Sequence, residues 1–342
     1  MPLDKVPPPS GPFHQRFQTE IVWRNVAFYL GLHLLALYAV LLVLTFQVKW
    51  QTCVLSYVLV IGTSQGILSG VHRYYSHKSY QARWPLQLFF VFWFTLAFQN
   101  SVWTWVRDHR QHHKYSDTDA DPHNAARGFF FAHMGWLMMR KHPKVLEKGD
   151  EIDLTDIEND PLVMFQKRYY MPFYLVCSLL VAILLPVYGW EETLANAFFV
   201  PFILRTVIIL HLTWFVNSAA HYFGTKPYDR TLWPSENAAV AAVTFGEGWH
   251  NYHHSFPGDY RGADFGYRDN TTTYFIDFLS RIGLAYDLKT VSDAAVKARA
   301  LRTGDGSFPR HRLDEQSNPT EEREQTNKKS TNYFFENFLK LR

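Results

Sequence analysis

Residues 26–48 read VAFYLGLHLLALYAVLLVLTFQV, 23 positions without a charged side chain. A hydrocarbon core of about 30 Å takes roughly 20 helical residues, so this stretch is long enough to span a membrane. Of three further stretches, 52–71 (TCVLSYVLVIGTSQGILSGV) and 169–190 (YYMPFYLVCSLLVAILLPVYGW) are uncharged, and 194–216 (LANAFFVPFILRTVIILHLTWFV) carries only Arg205, which is expected to face the protein interior or snorkel. Lys49–Gln51 joins the first pair and Glu191–Thr193 the second, links so short that each pair is expected to form a transmembrane hairpin. A fifth apolar stretch, 85–103, is expected to be buried or re-entrant, because a span there would put the histidine clusters that flank it on opposite faces.

Loop charge orients these hairpins. Segment 72–168 holds 13 Lys/Arg, whereas the second link has none and two Glu, so the positive-inside rule places this segment and both termini in the cytosol. Residues 1–25 are Pro-rich and polar, which predicts an uncleaved anchor in the first span rather than a signal peptide. A membrane domain is expected over 23–302, between a disordered N-terminus at 1–22 and a polar cytosolic tail at 303–342 whose part 303–330 is expected to be disordered. Across the 342 residues, 47% hydrophobic and 17% aromatic composition excludes global disorder, and a net charge of +3 is too balanced for a nucleic-acid binder. Two cysteines, Cys53 and Cys177, exclude a disulfide scaffold and a thiolate metal cage.

Histidine is over-used, at 16 residues, and clusters in three places. GVHRYYSHKSY holds His72 and His77, RDHRQHHKYSD holds His109, His112 and His113, and GEGWHNYHHSFPGDY holds His250, His253 and His254. His221 follows the last span, in VNSAAHYFG. One H-x-x-H-H is expected by chance about 0.03–0.04 times in such a chain, and this one has two. Helical residues three or four apart share a face, so the spacing aims imidazoles at a common point. Imidazole suits Fe, Zn, Cu or Ni, and nine clustered rings suit two ions at four or five ligands each. The topology allows all nine to meet on the cytosolic side, close to the bilayer. A zinc hydrolase would need a nearby carboxylate base, whereas an all-imidazole pair facing lipid favours iron, O₂ and an unactivated C–H bond. His14, His33, His123, His133, His142, His211 and His311 are read as ordinary hydrogen-bonding or solvated histidines.

These boxes, set between hydrophobic hairpins, resemble those of the membrane fatty acyl-CoA desaturases, closest to the stearoyl-CoA (delta-9) group and its insect-type relatives. The resemblance runs from about Trp23 to Gly306 through IVWRNV, RDHRQHHKYSDTDADPHN, RGFFFAHMGWL, VNSAAHYFG, KPYD, GEGWHNYHHSFP and RTGDG. It implies an all-α integral membrane protein, four transmembrane helices in two hairpins under a cytosolic helical cap holding a dimetal site. It also implies an endoplasmic-reticulum enzyme that uses two Fe ions (Zn in purified protein), O₂ and electrons from cytochrome b5 and its NADH-dependent reductase to introduce a cis double bond, delta-9 by default, into a saturated long-chain acyl-CoA. No second histidine-bearing domain fits in the polar tail, which points the same way, to an external electron donor.

In the family's pattern, one metal would take His72, His77, His109, His113 and His254. The other would take His112, His221, His250 and His253, with Asn217 holding a water ligand. Asn25, Asn100, Arg107, Asp108, Arg140, Lys141 and Trp214 match the acyl-CoA contacts, the three cations suiting a polyanionic CoA. Val60 and Ser64, one to three turns before His72, are expected to set the preferred chain length. The alternatives are delta-11 or other regiochemistry, and a membrane di-iron fatty acid hydroxylase. A metal transporter is disfavoured because it would carry its ionisable groups at mid-membrane.

Overall fold

A computed structural model describes residues 19–264 and 270–309. Most of the expected disordered N- and C-terminal stretches, together with His14 and His311, lies outside them. Four helices are long and apolar enough to cross a membrane: α1 (Trp23–Leu44), α2 (Trp50–Ser76), α9 (Tyr170–Trp190) and α10 (Leu194–Tyr222). They start and end a few residues away from the apolar stretches. The first helix ends at Leu44, where a Thr45–Phe46 turn with Phe46 at φ 56° precedes the link, and α2 and α10 continue past the apolar limit to carry His72 and His221. Over their 18-residue apolar stretches α2 and α10 are 56% and 50% buried, against 22% and 28% for α1 and α9, so α2 and α10 form the inner pair.

Between the hairpins lie α3 (Trp84–Leu96), α4 (Val102–Tyr115), α5 (Phe129–His133), α6 (Pro143–Gly149), α7 (Thr155–Glu158) and α8 (Pro161–Arg168). After α10 come α11 (Ala238–Val243), α12 (His250–Ser255), α13 (Thr271–Arg281) and α14 (Asp293–Thr303). A two-stranded antiparallel ribbon, β1 (Gln81–Ala82) with β2 (Ala285–Tyr286), ties the two halves of this cap together. At 13 residues, α3 is about 20 Å long, too short to cross. The folded unit reaches beyond 23–302 at both ends: Ile21 bridges to Met139, and Phe308 is buried beside Tyr228 and Tyr252.

Three local features shape the inner helices. Gly62, Gly66 and Gly70 form a stripe at four-residue spacing that lets α2 approach α3 closely. A Cβ at Gly66 would lie 2.5 Å from the Phe94 amide nitrogen, and one at Gly70 would lie 2.7 Å from Phe90 Cβ. The stretch Gly66–Ser76 is wound as a π-helix, and so is Phe198–Leu204, where Pro201 supplies no amide hydrogen. Arg205 faces inward, fully buried, and donates to the Leu96 carbonyl at the C-terminal end of α3 and to the Pro201 carbonyl. A cation there meets the negative end of the helix dipole.

The two hairpin links lie side by side, at the end opposite the histidines, and Glu192 joins them. Its carboxylate accepts from Lys49 N (2.9 Å) and Thr52 Oγ1 (2.7 Å) at the first link and the start of α2, and from Thr193 N (2.9 Å) and Asn196 Nδ2 (2.9 Å) at the second link and the start of α10. Burial pushes the carboxyl up, but these donors outweigh it and hold the group below its ordinary range. Lys49 Nζ adds bonds to the carbonyls of Trp190 and Glu191. Glu192→Ala leaves four donors without their acceptor and is expected to cost about 1–3 kcal/mol. Thermal unfolding of the detergent-solubilised variant checks this, and an unchanged midpoint would show that the links are held by the apolar spans alone.

Candidate metal centre

Nine imidazoles converge at the cap end of α2 and α10. Their ligand atoms fall into two sets, each within 4.8 Å: His72, His77, His109, His113 and His253, and His112, His221, His250 and His254. In the first set His77 Nε2 faces His109 Nε2 at 2.8 Å, and His253 Nε2 faces His72 Nε2 at 2.9 Å and His113 Nε2 at 3.0 Å. In the second, His254 Nε2 faces His250 Nε2 at 3.2 Å and His112 Nε2 at 3.3 Å. Two nitrogens bound at right angles to one ion, each at about 2.1 Å, lie about 3.0 Å apart, so these separations fit two metal ions.

Helix geometry explains the membership. His72 and His77 are five apart, a spacing that an α-helix splays and a π-helix stacks; the His77 amide donates to the His72 carbonyl at 3.2 Å. Each H-x-x-H-H box splits. His109 and His113, one α-turn apart on α4, join the first set while His112 joins the second. On α12, His250 and His254 join the second set while His253 joins the first. The family pattern had put His254 with the first ion and His253 with the second; the structure exchanges them. Adjacent residues lie about 100° apart around a helix, so His253 and His254 point to different sides of the centre and each ring joins a different set.

Carboxylates fix three of the rings. Glu247 Oε2 accepts from His72 Nδ1 at 2.9 Å, Asp121 Oδ2 from His112 Nδ1 at 2.7 Å, and Asp117 Oδ2 from His221 Nδ1 at 3.0 Å. An ionised carboxylate only accepts, so each Nδ1 carries the proton and each Nε2 presents its lone pair inward. His221 Nε2 is buried and has no hydrogen-bond partner among the described residues, as an unfilled ligand atom would be. Burial opposes ionisation of Glu247, but Arg73 and His72 outweigh it and hold the carboxyl at about 2. Burial and then the neighbouring imidazoles push His109, His113, His250, His253 and His254 well below the ordinary value, and burial, His72, Arg110 and Arg73 do so for His77, so their lone pairs are free for a metal.

Sequence reasoning missed these three carboxylates. The signal was present: Asp117 and Asp121 follow the second box, and Glu247 sits in the G-E-G before the third. It missed Arg73 too, which donates to Glu247 Oε1 (2.7 Å), to the Tyr260 and Arg261 carbonyls and to Thr273 Oγ1, binding α2 to the segment that leads into α13.

Of the seven histidines set aside, His123 packs behind the centre, its ring 4.3 Å from that of His112 and its Nδ1 3.6 Å from Asp121. His142 caps α6. His33, His211 and His133 form a separate chain: His33 Nε2 to His211 Nε2 at 3.0 Å, His211 Nδ1 to His133 Nε2 at 2.9 Å, and His133 Nδ1 to Ser218 Oγ at 2.9 Å. The Tyr29 carbonyl can only accept, so His33 Nδ1 donates to it. Their rings surround buried Trp214 at centroid distances of 5.1–6.4 Å.

The other expected substrate contacts are partly gathered. Asp108 accepts from Arg107 (2.7 Å) and Lys141 (2.8 Å), holding two cations together, and the Trp103 ring packs against Arg107 and Lys167. Arg140 lies on the surface, paired with Glu20 at 3.0 Å. Asn25 donates to the Leu137 carbonyl, and Asn100 adopts φ 73° just before α4. A largely apolar cavity reaches the metal centre, with Ser64, Trp105, Ile209, Thr213 and Asn217 on its wall beside His72 and His250. Gln99 ties two wall residues, donating to Thr213 Oγ1 (2.8 Å) and accepting from Trp105 Nε1 (3.3 Å). Val60 lies in the adjoining apolar core, outside this lining.

The loop that supplies Glu247 depends on Gly248. Its carbonyl accepts from Asn237 N at 2.8 Å, and a Cβ there would overlap the Asn237 carbonyl and the Ala241 backbone. Gly248→Ala is expected to cost about 1–3 kcal/mol or more and to lower bound metal, through displacement of Glu247 and α12. Unfolding midpoints and elemental analysis check both, and full metal content at unchanged stability would contradict the close approach.

The comparisons with known proteins agree with this geometry. A family model described as fatty acid desaturase matches residues 48–262. Over 292 residues the chain is 52% identical to an acyl-CoA Delta-9 desaturase of Acheta domesticus, covering 85% of this chain and 81% of that protein. It is 52% identical over 289 residues to an acyl-CoA Delta(11) desaturase of Spodoptera littoralis (84% and 85% covered) and 50% identical over 291 to the Homo sapiens stearoyl-CoA desaturase (85% and 80%). Converging imidazoles, orienting carboxylates, an adjoining apolar cavity and this extent of similarity lead to one conclusion: the chain belongs to the fatty acid desaturase family.

Proposed function

We propose that this protein is an acyl-CoA desaturase, an oxidoreductase that introduces a cis double bond, delta-9 by default, into a saturated long-chain acyl-CoA. The carrying observation is that the two imidazole sets open onto one apolar cavity between α2, α4 and α10. Overall, the acyl chain, O₂, two electrons and two protons yield the unsaturated chain and two waters. Two iron ions, held by the five-histidine set and by the four-histidine set with Asn217 contributing through a water, would supply the oxidising power toward C–H bonds. The rest is the work of the chain's own residues. Arg107 and Lys141, joined through Asp108, and Arg140 offer cations to the CoA phosphates, with Asn25 and Asn100 as polar contacts, while buried Trp214 would contact the substrate deeper, between the helices. The cavity wall excludes water and seats the acyl chain, and the Trp105–Gln99–Thr213 bonds fix the wall where it meets the centre.

Loop charge supports a cytosolic cap, and membership of the desaturase family supports an endoplasmic-reticulum location with electrons arriving from cytochrome b5. Relatives named Delta-9 and Delta(11) desaturases are equally similar, at 52%, so overall identity does not choose the bond position. Expression in a yeast strain lacking its own delta-9 desaturase tests the reading. Growth rescue with palmitoleic or oleic acid in the lipids is the expected result, lost in His253→Ala. A new bond elsewhere would move the regiochemistry, and hydroxy acids without new unsaturation would make the protein a hydroxylase.

Ser64 stands on the cavity wall, buried, one helix segment before His72. Ser64→Met narrows the cavity there and is expected to shift the products of the same strain toward shorter acyl chains. An unchanged product distribution would remove Ser64 from the control of chain length.

A further inference from the structure

The two histidine sets are similar in ligands and different in charge. The five-histidine set has one carboxylate on its imidazoles, Glu247, and the Arg73 guanidinium neutralises it at 2.7 Å. The next cation beside that set, Arg110, is itself paired with Asp156 through two 2.8 Å bonds. The nearest fixed charges around the first set therefore sum to about zero. The four-histidine set has two carboxylates, Asp121 on His112 and Asp117 on His221. Both are buried, and among the described residues neither has a Lys or Arg within ion-pair distance; Lys226 feels the charge of Asp117 only from farther away. Their other bonds come from neutral donors: Asp121 accepts from the amides of Asp117 (2.8 Å) and His123 (3.0 Å), and Asp117 from the Ala125 amide (2.8 Å) and the Ser116 hydroxyl (3.0 Å).

We infer that the two metal positions are inequivalent: the site formed by His112, His221, His250 and His254 fills first and holds its ion more tightly, with Asp117 and Asp121 as the positioning residues responsible. A dication loses its hydration on entering a buried site, and uncompensated negative charge one imidazole away offsets that loss. A carboxylate on Nδ1 also makes the ring a better donor at Nε2, and loss of such a partner typically costs about 10–100-fold in metal affinity. Arg73 draws Glu247 away from this task, so the fifth imidazole of the first set compensates for weaker support of its ion. The inference rests on the two-metal reading of the centre.

The test uses the full-length, metal-loaded protein in detergent, challenged with a chelator while bound metal is followed by elemental analysis. Two ions per chain should leave in two phases at least tenfold apart in rate. Anomalous scattering from the half-depleted protein should place the retained ion in the four-histidine set. Asp121→Asn and Asp117→Asn should speed the slow phase about 10–100-fold and leave the fast phase unchanged. Glu247→Gln should speed only the fast phase. A residue with a purely structural role would loosen both ions together, so that result in the Asp variants overturns the inference, as does release of both ions in one phase or retention in the five-histidine set. Wild-type depletion and scattering decide the matter if the variants do not fold. Well-folded protein that never binds more than one ion would instead overturn the two-metal reading.

Discussion

Imidazole nitrogens that face one another across about 3 Å with their lone pairs inward are the constraint on which this structure depends. Eight rings meet in this way and His221 completes the second set within 4.8 Å, where a cation turns repulsion into coordination. Carboxylates on the outer side of His72, His112 and His221 set which nitrogen carries the proton, and burial keeps most of the remaining rings neutral. Those carboxylates come from loops, the rings from four helices, so the centre exists only when both hairpins and the cap are assembled. The cost of burying this much polarity is offset in part by the acceptors on Nδ1 of His72, His112 and His221 and by the facing Nε2 atoms.

The membrane part serves that assembly. The outer helices, α1 and α9, expose their apolar faces, while α2 and α10 turn half of theirs inward and extend past the apolar limit to deliver His72 and His221. The glycine stripe draws α2 against α3, and the π-helical end of α2 rotates His77 onto the face of His72. At the far end Glu192 locks the two links, which fixes the relative position of the hairpins that the centre bridges.

Polar groups within the spans obey the same rule. Arg205 ends the dipole of α3 rather than facing lipid, and His33, His211, His133 and Ser218 satisfy one another in sequence around Trp214. An unpaired polar group at such depth would cost several kcal/mol, and these contacts between helices supply partners for Arg205 and the histidines. Desaturase chemistry needs a water-poor, apolar cavity beside a highly polar centre, and this arrangement supplies both within a few turns of helix.

The sequence by itself determined the four spans, their pairing, the non-spanning role of 85–103 and the nine histidines that meet, because hydropathy over a membrane's thickness and the i, i+3, i+4 spacing are one-dimensional signals. The G-x-x-x-G-x-x-x-G stripe of Gly62, Gly66 and Gly70 was equally visible. Only the tertiary structure decided which ion each histidine faces, since that depends on rotation about α4 and α12, where one residue turns a side chain by about 100°. It also decided the partners of His72, His112 and His221, the clamp at Glu192, and the joining of His33, His133 and His211, read singly as ordinary histidines, into one chain. Those contacts link residues from 9 to 178 positions apart, and no local pattern encodes which distant group will stand opposite a given side chain.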